Sequence, residues 1–435
     1  MRTSYESLPY GMEAVFLRQP NGSGTSARLS IYAGGLHETA DTLVGTAHFL
    51  EHVAIFGGTK RHRTIQSLLQ FMDQEDLDVQ GYTDWTSTGI QIDGPSVESV
   101  IETCLEIGFA PRIEKNGVQR ERVAISEEIR DLEFNTPQID FDEYLRVLAG
   151  EHPSRKLYGP IEELELFTPD HLRAFHDLHW RPSNARFYVC SDAPKATQRE
   201  IAKRVLEDLS LSNNDSPPSP VVLDLPWLKN PSLISSIAEG RAERQASLFQ
   251  FFETEPCATF EEMVARNAAE DLLNIALFRQ ARFANPTAYW IESSYIELDN
   301  TNHGIEESYS CFEIGTALVT SGLPKAIETI RRTIGGIENS AGLAGSVLRK
   351  YEKWLRDKKY FPTYNIADEL QASSQLYYQR EYNPDAEREI VASLTTADVL
   401  RAAQDITSRQ STTFITSPYE HSVSLPRTTP KSRKN

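Results

Sequence analysis

The sequence predicts an α+β protein made of two similar domains, each an antiparallel-rich β-sheet covered by helices. Three observations lead to this prediction. The 435 residues exceed what one hydrophobic core normally serves. Both halves alternate strand-like runs with amphipathic helices in a similar order, and a stretch rich in Asn, Ser and Pro separates them. We therefore place a first domain at residues 1–209, a linker at 210–227, a second domain at 228–420 and a basic tail at 421–435.

In the first half, alternating apolar residues predict strands, and apolar residues at helical spacing predict helices. Two strand-like runs flank PNGSG and are expected to form a hairpin or meander. A helix is predicted from Thr42 to about Phe56, and DVQGYTDWTSTGIQID is predicted to be one strand. Further helices are predicted over TIQSLLQFMDQ, VESVIETCLEIGFA, VQRERVAISEEIRDLEF and TPDHLRAFHDLHW, and ARFYVCSD is predicted to close this half as a strand.

The second half repeats this mixture. Strands are predicted over QASLFQFFET, AYWIESSYIEL, EESYSCFEIGT and TTFITS, and a long helix over TFEEMVARNAAEDLLNIALFRQARF. Helices are also predicted around residues 323–338, 343–357 and 363–380, and from TTADVLRAAQDI. The similar length and order of the two halves predict a structural duplication, although their sequences are not closely alike.

The composition narrows the classes of partner. The net charge of −18 disfavours nucleic acid, because phosphate contacts need a basic face, and it is compatible with peptides. The four cysteines lie far apart, which favours buried free thiols over a disulfide framework. No apolar run approaches the roughly 20 residues of a membrane helix, and the chain begins without a signal-peptide pattern. We therefore expect no membrane partner and a cytoplasmic location.

The stretch GTAHFLEHVAIFGGTK places two histidines and a carboxylate in one predicted helix. His48 and His52 are one helical turn apart and share a face, with Glu51 beside the second histidine. Such a pair can bind zinc, and a carboxylate ligand from elsewhere in the chain would leave the fourth tetrahedral position to water. H-x-x-E-H is the inverted zincin motif, whose glutamate takes the proton of that water. Histidines at this spacing also occur as ordinary core or surface residues, so a third ligand is needed.

The same stretch resembles the motif region of the pitrilysin/insulinase family of zinc metallopeptidases, which includes the mitochondrial processing peptidases. The resemblance implies a glutamate ligand well downstream on a charged helix, about two turns after a second glutamate. In ERVAISEEIRD these positions are Glu128 and Glu121. Glu128 is thus the expected third ligand of one Zn²⁺ per chain, and Glu121 is the expected supporting carboxylate. Glu127, on another face of the same helix, is the alternative ligand.

The stretch DVQGYTDWTSTGIQI is similar to the active-site edge strand of that family, to which a peptide substrate adds as an extra β-strand. The resemblance implies substrate contacts at Gln80, Gly81, Tyr82 and Thr83. The family usually has Asn-Ala where this chain has Gln80 and Gly81, so the detailed substrate contacts are expected to differ here.

RQARFANPTAYW in the second half is similar to the segment that carries an Arg and a Tyr in the family. These two residues approach the zinc site from the opposite domain. The resemblance implies that Arg282 and Tyr289 stabilise the oxyanion formed when water adds to the peptide carbonyl. Arg279 is the alternative arginine.

The resemblance covers most of the chain and implies that the two domains form half of a clamshell chamber. Short members of the family pair into dimers, and this chain carries both the zinc motif and the Arg/Tyr pair. We therefore expect a homodimeric zinc endopeptidase that cleaves peptides or unfolded segments. The alternative is a non-catalytic or partner-dependent subunit of a heterodimeric processing peptidase, for example one that processes leader peptides. A zinc hydrolase of non-peptide substrates has no support beyond the metal site.

Overall fold

The computed structural model describes most of the chain. The described residues are 2–19, 24–39, 41–133, 157–211, 218, 233–237, 245–284, 288–298, 309–358, 366–371, 373–383, 385–409 and 411–417. Most of the predicted linker and all of the predicted basic tail lie outside them. The domain boundaries given above therefore stay a prediction.

The described residues form a six-stranded, a five-stranded and a two-stranded sheet, together with helices. The strands are β1 (Thr3–Ser4), β2 (Glu6–Ser7), β3 (Glu13–Arg18), β4 (Thr25–Ile31), β5 (Asp78–Thr83), β6 (Thr88–Gly94), β7 (Ala185–Ser191), β8 (Leu233–Ile237), β9 (Gln245–Thr254), β10 (Ala288–Leu298), β11 (Tyr309–Val319), β12 (Glu381–Tyr382) and β13 (Ser411–Ser417). The helices are α1 (Thr46–Phe56), α2 (Ile65–Glu75), α3 (Val97–Phe109), α4 (Lys115–Glu133), α5 (Pro169–His179), α6 (Lys195–Leu209), α7 (Phe260–Ala284), α8 (Leu323–Gly335), α9 (Ala341–Lys358), α10 (Ile366–Gln371), α11 (Ser374–Gln379), α12 (Ala386–Ser393) and α13 (Thr396–Thr407).

The first sheet has the strand order β2-β3-β7-β4-β6-β5. Only the β3–β7 pair is parallel, and the other neighbours are antiparallel. The predicted hairpin of β3 and β4 is therefore wrong, because β7 lies between them. Every residue of β7 is buried. Such burial suits a central strand, because both of its edges are paired with neighbouring strands and both of its faces are covered by other parts of the chain.

The single strand predicted over DVQGYTDWTSTGIQID is in fact the hairpin of β5 and β6. Asp84 makes the turn, since its Oδ1 accepts hydrogen bonds from the backbone N–H groups of Thr86 at 2.7 Å and Ser87 at 2.5 Å. A side-chain acceptor of this kind replaces the backbone partners that a continuing strand would need. As a result β5 lies at the edge of the sheet, as the resemblance implied.

The second sheet repeats the topology of the first. Its strand order is β10-β11-β9-β13-β8, which corresponds to β5-β6-β4-β7-β3. The β8–β13 pair is parallel, like β3–β7, and the other pairs are antiparallel. The predicted α+β architecture of two similar units is therefore confirmed. The helix predicted around residues 363–380 is two short helices, α10 and α11, and α12 was not predicted.

The two halves are joined on one face of the first sheet. The other face packs on α1 and α3 to form the main core of the first half. On the joining face, Val15 and Tyr188 of the first sheet pack against Ala367 and Leu370 of α10 in a second apolar cluster. The short strands β1 and β12 also pair across the junction. The second half therefore serves as part of the scaffold of the first sheet.

Two expectations about the whole chain concern its cysteines and its helices. All four cysteines are buried thiols outside any disulfide, as expected. Within the described ranges, no helix has both the length and the apolar character that crossing a bilayer requires.

Candidate active site

The start of α1 is fixed by a buried carboxylate that the sequence reasoning missed. Glu38 is fully buried, and its two oxygens accept hydrogen bonds from the backbone N–H groups of Gly45 and Ala47, both at 2.9 Å. A carboxylate at this position satisfies donors that a helix start leaves open and interacts favourably with the helix dipole. Gly45 has φ +88°, and a Cβ there would lie 2.8 Å from the Tyr158 backbone. The available signal was weak, since Glu38 is one of two acidic residues, with Asp41, shortly before the helix.

The helix α1 directs both histidines of the motif at Glu128 on α4. The Nε2 atoms of His48 and His52 lie 3.5 Å and 3.2 Å from Glu128 Oε2. One donor atom from each of the three residues lies within 4.8 Å of the others. Zinc–ligand bonds of about 2.0–2.1 Å in a tetrahedron place ligand atoms roughly 3.3 Å apart. The three predicted ligands therefore come together, and the separations of both histidines from Glu128 suit this ion.

The same contacts couple the protonation of these residues. Burial disfavours a charged imidazole, but the nearby carboxylates of Glu121 and Glu128 outweigh it and raise the pKa of His52 to about 9. Hydrogen bonds from His48 and His52 hold the pKa of Glu128 well below its usual range. The contact between His52 Nε2 and Glu128 Oε2 joins two atoms that would ligate a metal. A cation between these atoms satisfies the same carboxylate, so metal binding would release protons.

Glu121 supports His52 from the opposite side of its ring. Its Oε2 lies 3.6 Å from His52 Nδ1, and its Oε1 accepts a hydrogen bond of 2.7 Å from Arg120 Nε. Glu121 is only 4% exposed. A carboxylate on the second ring nitrogen orients a ligating histidine. Glu127, the alternative ligand, is exposed, pairs with Arg130 and is outside the donor cluster.

The ring of His48 is held by an aromatic contact that the sequence reasoning also missed. Tyr158 packs edge-on against His48, with ring centroids 4.5 Å apart. Such a contact restricts the rotation of the imidazole. Tyr158 belongs to a stretch in which the sequence predicts neither a helix nor a strand, so no local signal identified it.

Glu51 lies between the histidines and the edge strand. It is 8% exposed, and its Oε2 accepts a hydrogen bond of 2.7 Å from Thr83 Oγ1. Its Oε1 faces Gly81, where a Cβ would come within 2.2 Å. Burial raises the pKa of Glu51, against the opposing effects of His48 and the Thr83 hydrogen bond. The chain thus places a buried carboxylate beside both the metal donors and the strand edge.

The four predicted substrate residues divide between the two faces of β5. Gly81 and Thr83 face Glu51, whereas Gln80 and Tyr82 lie on the opposite face, as strand alternation requires. The Tyr82 hydroxyl accepts a 2.7 Å hydrogen bond from Gln371 Nε2 of α10. The Tyr82 side chain therefore joins the two halves, and its part in substrate binding stays a prediction. The alanine usual in the family at position 81 would require Glu51 Oε1 to sit elsewhere.

The predicted Arg/Tyr pair belongs to α7 and β10 of the second half. Arg282 is exposed near the end of α7, as is the alternative Arg279. Among the described residues, no hydrogen bond or ion pair links Arg282 to the zinc donors. Tyr289 belongs to β10, and its side chain lies outside the described part of the structure. The role of the pair stays a prediction.

The fold and the site together define a class of two-unit α+β proteins with an H-x-x-E-H helix at a sheet edge. Residues 14–160 match the family described as Insulinase (Peptidase family M16), and residues 166–344 match the Peptidase M16 inactive domain. The chain belongs to the M16, or insulinase, peptidase family. The expected resemblance is therefore confirmed.

Relatives of several kinds share this family. A chloroplastic stromal processing peptidase of Oryza sativa subsp. indica is 29% identical over 192 residues, which is 40% of this chain and 14% of that protein. A Mycobacterium leprae protein named as an uncharacterized zinc protease is 26% identical over 180 residues, 40% of each chain. The chain thus matches less than half the length of these relatives. A protease structure from Helicobacter pylori shares the fold, with TM-score 0.76, 16% identity and coverage of 96% and 99% of the two chains.

Proposed function

We propose that this chain is a zinc-dependent endopeptidase that cleaves peptides or unfolded segments. The observation that carries the proposal is the convergence of His48, His52 and Glu128 beside Glu51 at the edge of the first sheet. Family membership and the name of the mycobacterial relative support a zinc peptidase. A catalytic zinc site has this composition, with three protein ligands and one open position.

The roles of the individual residues follow from their positions. His48 and His52, each through Nε2, and the Glu128 carboxylate would hold one Zn²⁺, which when bound would supply Lewis-acid activation of water and of the peptide carbonyl. Thr83 occupies Glu51 Oε2, and Oε1 faces Gly81 of the edge strand. Glu51 Oε1 is therefore the atom that accepts the proton of the attacking water and later delivers it to the leaving amine.

The unpaired edge of β5 is the proposed substrate site. Only β6 pairs with β5 among the described strands, so the other edge of β5 can take an extended peptide as an added strand. A peptide added at this edge would lie beside Gly81 and Thr83, the two residues of β5 that face Glu51. Backbone pairing selects extended or unfolded segments and reads side chains weakly. Folded proteins would be excluded because their segments are already paired.

We further propose a homodimer in which Arg282 and Tyr289 of one chain act at the site of the other. Within one chain, the described contacts leave Arg282 unconnected to the zinc donors. The end of α7 that carries it is exposed and bears two large apolar side chains, Phe278 and Phe283, which are 55% and 85% exposed. Burying large apolar side chains of this kind would favour association with a partner. A facing pair would enclose a chamber. The alternative is a heterodimer in which the partner is a related subunit, with or without its own Arg/Tyr pair. The proposed compartment is the cytoplasm.

The test compares the wild-type chain with Glu51→Gln on a panel of fluorescence-quenched peptides, with zinc content measured on both. We expect equal zinc and a loss of turnover of about 10²–10⁴-fold in Glu51→Gln, because a general base contributes about that much. Equal turnover would exclude Glu51 as the base. Zinc in both proteins with no turnover in either would favour the partner-dependent subunit. Light scattering after size exclusion checks the dimer, and a monomer at every concentration would contradict it.

A further inference from the structure

A cavity of about 360 Å³ lies at the junction of the two halves. Arg186 enters it from β7 of the first sheet, and the rest of its described wall belongs to the second half. Two of the described lining residues are arginines and none is acidic, although the chain as a whole has a net charge of −18. The described lining residues are Arg186, Cys257, Ala258, Tyr377, Tyr378 and Arg380.

The two arginines share one carboxylate, that of Glu13. Arg186 Nε donates to Glu13 Oε2 at 3.0 Å, and Arg380 Nη2 donates to Glu13 Oε1. Burial alone would raise the pKa of Glu13, but the two guanidinium groups together lower it, so this carboxylate is ionised. Both of its oxygens are occupied. Two positive charges therefore face one negative charge, and these contacts leave one positive charge uncompensated.

Arg186 keeps an unused donor in this buried place. The residue is 3% exposed, and its Nη2 is shielded from solvent without a hydrogen-bond partner in the described part of the chain. The Tyr5 ring lies against both guanidinium groups, with centroid distances of 4.7 Å to Arg186 and 4.2 Å to Arg380. This contact fixes the orientation of both groups. A buried guanidinium donor without an acceptor is rare in native proteins, and it requires an explanation.

We propose that this cavity binds a small oxyanion, the carboxylate or phosphate group of a small molecule, through Arg186 and Arg380. The planar donor fork of a guanidinium group matches both kinds of oxyanion. The volume is at the lower end of the range for small-molecule sites, about 300–1,000 Å³. Tyr377 and Tyr378 provide an aromatic wall for the body of the ligand. Because the wall combines both halves of the chain, the bound oxyanion links them.

The test measures binding of inorganic phosphate and of succinate to the full chain by titration calorimetry. Arg380→Gln is the informative variant, because its side chain is 46% exposed and its loss should leave the fold intact. Arg388→Gln is the matched control, since Arg388 is similarly exposed at 49% but pairs with Asp385 outside the cavity. We expect binding of at least one probe by the wild type and by Arg388→Gln, with about tenfold weaker binding by Arg380→Gln.

The outcomes separate the sources of the ligand. Phosphate binding without succinate binding identifies a phosphate site, and the reverse identifies a carboxylate site. Absence of binding by the wild type with both probes would overturn the proposal. Equal affinity of the wild type and Arg380→Gln would also overturn it, since the ion would then bind elsewhere. This readout is independent of peptide hydrolysis, so it stands whether or not the chain is a peptidase.

Discussion

Glu38 should determine how firmly α1, the helix that carries His48 and His52, begins. Its carboxylate is fully buried and holds the N–H groups of Gly45 and Ala47, the second of which lies directly before His48. In Glu38→Gln the amide keeps one acceptor oxygen, loses the negative charge and turns its own N–H₂ group toward a backbone donor. One charge-assisted hydrogen bond and a favourable helix-dipole interaction are lost, which together amount to about 2–4 kcal/mol.

Hydrogen exchange over residues 45–56, followed by mass spectrometry, measures this opening locally. A loss of about 2–4 kcal/mol makes exchange about 30- to 1,000-fold faster, because each 1.4 kcal/mol is a factor of ten. Glu98→Gln is the control, since Glu98 lies in the first turn of α3 but its side chain is 56% exposed. In Glu98→Gln, hydrogen exchange over the first turn of α3 should become faster by less than about fivefold.

Zinc affinity should fall together with this protection, because an open helix start no longer holds His48 against Glu128. Equilibrium dialysis with zinc on Glu38→Gln and Glu98→Gln checks this link. If Glu38→Gln showed the exchange rates and zinc affinity of Glu98→Gln, the buried carboxylate would have no part in positioning the site.

Three further predictions concern other parts of the chain. Glu128→Gln should weaken zinc binding more than about 100-fold, because loss of a residue that only supports a ligand already costs up to about 100-fold in metal affinity. Glu127→Gln should keep zinc binding. Equal zinc contents in the two variants would contradict the assignment of Glu128 as the ligand. Gln371→Leu should cost about 1–3 kcal/mol in unfolding free energy and raise KM more than it lowers kcat, because Tyr82 loses its donor from α10. Burial raises the pKa of Glu313 from 4.5 to about 7, so the folded state binds more protons between these values and is destabilised as pH rises. Glu313→Gln should therefore be more stable than the wild type at pH 8, by about 3 kcal/mol at most, and an unfolding difference that did not grow from pH 5 to pH 8 would refute this.

The sequence predicted the parts of the site that lie within single helices. His48, Glu51 and His52 are related by the period of α1, so spacing places that set on one side of the helix. Glu121 and Glu128 were identified through the family resemblance, and their separation of two turns puts them on one face of α4. That α1 and α4 face each other followed from the family resemblance and not from spacing. The contacts of Glu127 with Arg130 are consistent with its lower rank as a ligand.

The sequence could not predict which strands are neighbours. The insertion of β7 between β3 and β4 depends on pairing between residues far apart in the chain, for which a local pattern carries no information. The turn at Asp84 was missed because the Thr- and Trp-rich run resembles one continuous strand. That turn fixes the register of β5, and a shift of one residue would exchange the faces of the strand.

The register of β5 connects the candidate site with the second half of the chain. On one face of the strand, Thr83 holds the Glu51 carboxylate. On the other face, the next residue back, Tyr82, is held by Gln371 of α10. The backbone between these two side chains is the edge to which a peptide would add. The position of that edge relative to Glu51 therefore depends on how α10 packs on the first sheet, and a chain lacking its second half should bind zinc through α1 and α4 yet position peptides poorly.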